Sequence, residues 1–113
     1  MTGDAVVTIS THVLDTTAGA PAASVSVLLE RRAEDGHWLE AEDGVTDDDG
    51  RLRFGGAVPA GEYRLTFGTG RYCAGRGAPT FYPEVTVTFT TSRGHYHVPL
   101  LLSPFGYSTY RGS

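Results

Sequence analysis

The chain has 113 residues, 40% of them hydrophobic and 19% charged, enough for one small core and too few for two ordinary ones. Nine basic residues, all of them arginine, stand against thirteen acidic ones for a formal net charge of −4, with no basic patch interleaved with aromatics, which argues against a nucleic-acid partner. No apolar run reaches membrane-spanning length, Met1-Thr2-Gly3-Asp4 has no secretory pattern, and Cys73 has no partner for an intrachain disulfide; these features predict a single domain over residues 1–113, cytoplasmic, with no membrane partner.

Taken in order, Ala5 to Leu14 alternates as a half-buried strand does, with Val7, Ile9, Thr11 and Val13 facing a core and Thr8, Ser10 and His12 facing away. Asp15 to Pro21 is rich in turn formers. Ser24 to Glu30 reads as a second strand, Arg31 to Gly36 as a polar loop, and His37 to Ala41 as a third strand anchored by Trp38. Asp47-Asp48-Asp49-Gly50 reads as a solvated turn, because the ligand spacing and closing Glu of a calcium loop are missing. Arg51 to Phe54 and Glu62 to Phe67 are further strands. The glycine-rich Gly68 to Gly77 segment holds one short helix near Arg71 to Ala74. Neither a Lys-Ser/Thr pair nor a βαβ setting makes it a phosphate cradle. Cys73 in that segment reads as a small buried residue.

A strand opens at Tyr82-Pro83 and runs through Phe89. His95 to Leu102 and Tyr107 to Arg111 then form two last strands around a Ser-Pro turn. About eight short strands with one helical turn predict an all-β fold, a two-sheet antiparallel β-sandwich. In the penultimate strand Tyr96, Val98, Leu100 and Leu102 make the core face, leaving His95, His97, Pro99 and Leu101 outward. Ser108 and Tyr110 share a face of the last strand, opposite Tyr107, Thr109 and Arg111. His12, His97, Ser108 and Tyr110 can therefore all face outward, forming one polar patch if their strands are neighbours. A His-x-His pair also raises zinc, but no third ligand lies at suitable spacing, so no metal is assigned.

Five fragments in fixed order carry a resemblance: His12-Val13-Leu14-Asp15-Thr16, Gly50-Arg51-Leu52, Gly61-Glu62-Tyr63-Arg64-Leu65, Phe81-Tyr82-Pro83-Glu84-Val85 and the closing Tyr110-Arg111-Gly112-Ser113. Together they resemble the transthyretin-like family over nearly the whole chain. The closing tetrapeptide is similar to the signature of that family's hydroxyisourate hydrolases. The resemblance implies a homotetramer, a dimer of dimers with sites at the dimer–dimer interface. It also implies that the first strand, the short strand after Gly50 and the last two strands share one channel-facing sheet. The implied activity is hydrolysis of 5-hydroxyisourate to 2-oxo-4-hydroxy-4-carboxy-5-ureidoimidazoline in urate catabolism, with no cofactor.

The site residues carried over are His12, Arg51, His97 and the terminal tetrapeptide. The hormone-carrying members of the family differ there, having a lysine in place of His12, an acidic residue in place of Arg51 and a small residue in place of Tyr110. Histidine suits the proton steps, so His97, or alternatively His12, is the expected general base. Arg51 would hold a substrate carbonyl and stabilise developing negative charge. Ser108 and Tyr110 would line the pocket, and the Ser113 carboxylate would orient an imidazole or the water. Arg111 either binds substrate or pins the terminal strand. The competing expectations are a small-ligand carrier of the same fold, without catalysis, and a plain interaction module.

Overall fold

The computed structural model describes residues 5–113, and the reading of Met1–Asp4 lies outside them. The alternating opening segment forms β1 (Val6–Asp15), and every other strand of the larger sheet is placed by it. The elements that follow are β2 (Ala20–Pro21), β3 (Ser26–Arg32), β4 (Trp38–Val45), β5 (Arg51–Arg53), β6 (Val58–Pro59), β7 (Glu62–Phe67), α1 (Thr69–Gly75), β8 (Val85–Thr90), β9 (Gly94–Ser103) and β10 (Gly106–Thr109). The first sheet has the order β10-β9-β1-β2, with β5 and β6 also pairing with β1; the second has the order β4-β3-β7-β8.

The two sheets enclose one core. Val7, Ile9 and Val13 of β1 and Tyr96, Val98 and Leu100 of β9 meet Val27 and Leu29 of β3 and Tyr63, Leu65 and Phe67 of β7. Each such side chain contributes about 1.5–3 kcal/mol when fully buried. The period-two spacing that buries these residues turns the intervening ones outward, and that outward face of the first sheet carries the site. Cys73 is buried and free. Among the described residues no helix is long and apolar enough to cross a membrane.

The predicted sandwich is observed, with differences at its margins. β1 and β9 pair in parallel, which a short turn cannot connect; the intervening chain builds the second sheet. β2 and β6 are two-residue strands in segments read as turn and loop, placed by their pairing with β1. β4 runs on to Val45, and β8 starts at Val85 rather than Tyr82. Trp38 does not anchor β4 into the core. It lies partly exposed on an edge strand, with the guanidinium of Arg64 at 4.3 Å and that of Arg32 at 5.4 Å from its ring centre, cation–π contacts that suit an aromatic among charged strands.

Candidate active site

Strand register assembles the site. The parallel pairing sets Thr8 opposite His95 and Ser10 opposite His97; the antiparallel pairing of β5 sets Arg51 opposite His12 and Arg53 opposite Ser10. Directly opposed residues share a face, so three strands deliver three histidines and two arginines to one outward surface. A cleft of about 380 Å³ opens there, lined by Ser10, Arg51, Arg53, His95, His97 and Ser113.

The turn before β5 positions Arg51 and holds His12. The carboxylate of Asp47 accepts hydrogen bonds from the N–H groups of Asp49 and Arg51, both at 2.9 Å. Gly50 has φ +74°, and a Cβ there would collide with the carbonyl oxygen of Val13, so only glycine fits without strain. The Asp49 carbonyl accepts a hydrogen bond from His12 Nε2 at 2.9 Å. A carbonyl oxygen can only accept, so Nε2 of His12 carries a proton and is engaged.

His97 is held differently. Its Nδ1 lies 2.8 Å from Ser10 Oγ, and among the described residues its Nε2 makes no hydrogen bond. The tail clamps the ring from the other side. Gly112 N–H donates to the His97 carbonyl at 2.7 Å, and the His97–Gly112 bridge continues the register in which β10 pairs with β9. Pro99 interrupts the ladder between them because it has no N–H to give. A Cβ on Gly112 would lie 2.7 Å from Cδ2 of His97; the glycine is what lets the tail lie against the imidazole.

Burial is the main cause that pushes the His97 pKa below its ordinary value, with the charges of His12, Arg51 and His95 acting in the same direction. His97 is therefore neutral at pH 7, with Nε2 available. Among the described residues neither Arg51 nor Arg53 is paired with a carboxylate, whereas Arg32, Arg64 and Arg76 are. The cleft thus combines a neutral imidazole with two guanidinium groups held in no ion pair, and the C-terminal residue Ser113 lines it with them. That combination can take a proton from water and stabilise an oxyanion.

The structure brings together Arg51, His97 and Ser113 around the cleft, with His12 beside Arg51. Ser108, Tyr110 and Arg111 do not line it. Tyr110 and Arg111 border a second groove of about 490 Å³ between the edges of the two sheets, where the Arg111 guanidinium lies 4.2 Å from the ring centre of Tyr96. Sequence reasoning left out Ser10, Arg53 and the contact role of Gly112. Their faces were readable by parity, but the register that joins them to His97 was not. Among the described residues no three His, Cys, Asp or Glu side chains converge on a metal position.

A family model described as the HIUase/Transthyretin family matches residues 9–112. The chain belongs to that family. It is 46% identical over 110 residues to the 5-hydroxyisourate hydrolase of Salmonella typhimurium, covering 93% of this chain and 80% of that one. Its fold is similar to that of Klebsiella pneumoniae 5-hydroxyisourate hydrolase, with a TM-score of 0.84 and 39% identity over 94% of this chain and 99% of that one. It is also similar to transthyretin from Sparus aurata, with a TM-score of 0.87 and 34% identity over 92% and 95% of the two chains. Backbone shape alone does not separate a hydrolase from a transthyretin; the residues of the cleft have to.

Proposed function

We propose that this chain hydrolyses 5-hydroxyisourate, as its relatives of that name do. The observation that carries the reading is His97: a neutral imidazole fixed through Nδ1, with Nε2 free of hydrogen bonds, beside the unpaired Arg51 and Arg53. Nε2 of His97 takes a proton from water as the oxygen attacks a ring amide carbonyl. The electron pair displaced onto the carbonyl oxygen is stabilised by Arg51. As the tetrahedral centre collapses, the carbon–nitrogen bond breaks and the departing nitrogen takes the proton back from His97. His12, whose Nε2 is already donating to Asp49, is better placed to orient substrate than to act as base. Gly112 holds the imidazole in place and Ser113 lines the cleft beside it, whereas Tyr110 and Arg111 border the second groove and Ser108 lies outside the cleft.

The chain is further read as one domain that works as a homotetramer in the cytoplasm. Support for assembly comes from the edge strand β10 and the residues flanking it, where Phe105, Tyr107 and Tyr110 are exposed by 73, 42 and 58%. Apolar groups on an unpaired edge are ordinarily covered.

The deciding experiment follows the ultraviolet absorbance of freshly generated 5-hydroxyisourate. Decay far faster with protein than without is expected; decay at the spontaneous rate, together with tight binding of a thyroxine-like ligand, would make the chain a carrier instead.

A further inference from the structure

The hydrolytic scheme uses His97 but leaves unexplained what lies behind it. Nδ1 of His97 is 2.8 Å from Ser10 Oγ, Ser10 Oγ is 2.8 Å from His95 Nε2, and His95 Nδ1 is 2.7 Å from Thr8 Oγ1. The chain follows from the parallel register of β1 on β9, which sets Thr8 and Ser10 against His95 and His97 on the outward face. It also runs along a gradient of exposure. Ser10 is buried, His97 half-buried and His95 exposed.

Counting protons gives the chain a direction. Ser10 has one hydroxyl proton and sits between two ring nitrogens, so it donates to one and accepts from the other. In one arrangement His97 Nδ1–H donates to Ser10, Ser10 donates to His95 Nε2, and His95 Nδ1–H donates to Thr8. His97 Nε2 then has a lone pair and is a base. In the reverse arrangement Thr8 donates to His95 Nδ1, His95 Nε2–H donates to Ser10, and Ser10 donates to His97 Nδ1. A neutral His97 then has its proton on Nε2 and is a donor.

We infer that Ser10 and His95 are positioning residues that form a proton relay for His97, switching it between base and donor during turnover. The inference rests on the hydrolase reading for its chemistry. When His97 Nε2 takes the proton of water, its Nδ1 proton passes to Ser10, and the hydroxyl proton of Ser10 passes to His95 Nε2. Each group gives up one proton and gains one, except His95, which becomes the imidazolium. The positive charge moves from a half-buried ring to an exposed one. When His97 Nε2–H protonates the departing nitrogen, the same protons move back and His95 returns to neutral. The groups around His97 favour this displacement, since His12 from β1, Arg51 and Arg53 from β5 and His95 itself are cationic or can become so, with Ser113 of the tail at the same cleft. A charge is better hydrated on exposed His95 than on half-buried His97.

The test separates relaying from holding. Ser10→Ala removes the link. His95→Gln keeps an amide that can hydrogen-bond but cannot take up a proton. Both are expected to lower kcat about 10- to 100-fold with KM within about twofold, and to turn a curved proton inventory in mixed light and heavy water into a straight one. Wild-type kcat in His95→Gln, or an unchanged inventory curvature, would overturn the relay. A second measurement does not depend on turnover. In ring-labelled protein, the nitrogen-15 shifts of His97 should report a move to the Nε2–H tautomer as His95 is protonated, and Ser10→Ala should abolish that response. A His97 tautomer indifferent to His95 would refute the relay even if the enzyme is active. A wild-type chain inert toward 5-hydroxyisourate that still shows the coupled tautomer shift would overturn the hydrolase reading and leave the proton coupling standing.

Discussion

Gly112→Ala is the sharpest probe of how the tail serves the site. The new Cβ would lie 2.7 Å from Cδ2 and 3.4 Å from Cγ of His97, and 3.3 Å from Cγ of Pro99. Carbon atoms in good contact sit about 3.5–4.0 Å apart, so ring and tail must separate by roughly 1 Å. Gly112 is not among the residues with positive φ, so its backbone accepts alanine and the substitution isolates this one contact. Either the imidazole tilts away from the cleft, or the tail lifts and the Gly112 N–H···O=C His97 bond of 2.7 Å is lost. Both results disturb the same residue.

A misplacement of about 1 Å at a catalytic group costs roughly 100-fold in rate, or about 2.7 kcal/mol of barrier. The matching loss of stability is that of one hydrogen bond at the chain end, about 1 kcal/mol. Activity should therefore fall far more than stability. The assay is the absorbance decay of 5-hydroxyisourate, run beside thermal unfolding of the same preparation. Turnover within twofold of wild type, with the fold intact, would refute the idea that the tail sets the position of His97.

Three further outcomes are expected. Arg51→Glu replaces an unpaired cation by an anion facing the developing oxyanion, and kcat/KM should fall by at least 100-fold with an unchanged circular dichroism spectrum; retained turnover would remove Arg51 from the mechanism. The rate should rise with pH through a value below 6.5 and stay level through neutrality. The sign follows from the His97 pKa, which burial first and neighbouring cations second push down, so that the neutral base is present above that lowered value; a midpoint above 6.5 would contradict the assignment. Gly50→Ala meets both a left-handed φ of +74° and the Val13 carbonyl, and should destabilise the protein by about 1–3 kcal/mol as read by chemical denaturation; an unchanged midpoint would show that the turn adapts freely.

Much of this architecture could be read from the chain. The alternation in β1 and β9 assigns Ile9, Val13, Tyr96 and Leu100 inward and Ser10, His12, His95 and His97 outward, and these faces hold, with Ser10 on the outer face but buried in contact with His95 and His97. Periodicity works there because burial on one face of a strand is a strong, local constraint. It fails for β2 and β6, whose two residues each pair only because β1 lies beside them. It fails for Trp38 as well, whose ring is covered at the sheet edge by the guanidinium groups of Arg32 and Arg64 instead of by the core.

The site shows the same division between parity and pairing. Parity places His97 and Ser10 on outward faces, but nothing in the spacing of β1 and β9, separated by the whole second sheet, fixes which residue meets which. The parallel register decides it: one residue of slip would carry Ser10 to the level of a neighbour on the core face and break the contacts to both His95 and His97. The two proposed bases differ in their partners. His12 reaches a backbone carbonyl and so gives up Nε2, while His97 reaches a hydroxyl that can either donate or accept. Two histidines equivalent by composition and parity thus differ: one is committed as a donor at Nε2, and the other has a hydroxyl partner that leaves its tautomer open. The difference lies in their partners, a turn carbonyl for His12 and, for His97, a hydroxyl that the parallel pairing of β1 with β9 sets opposite it.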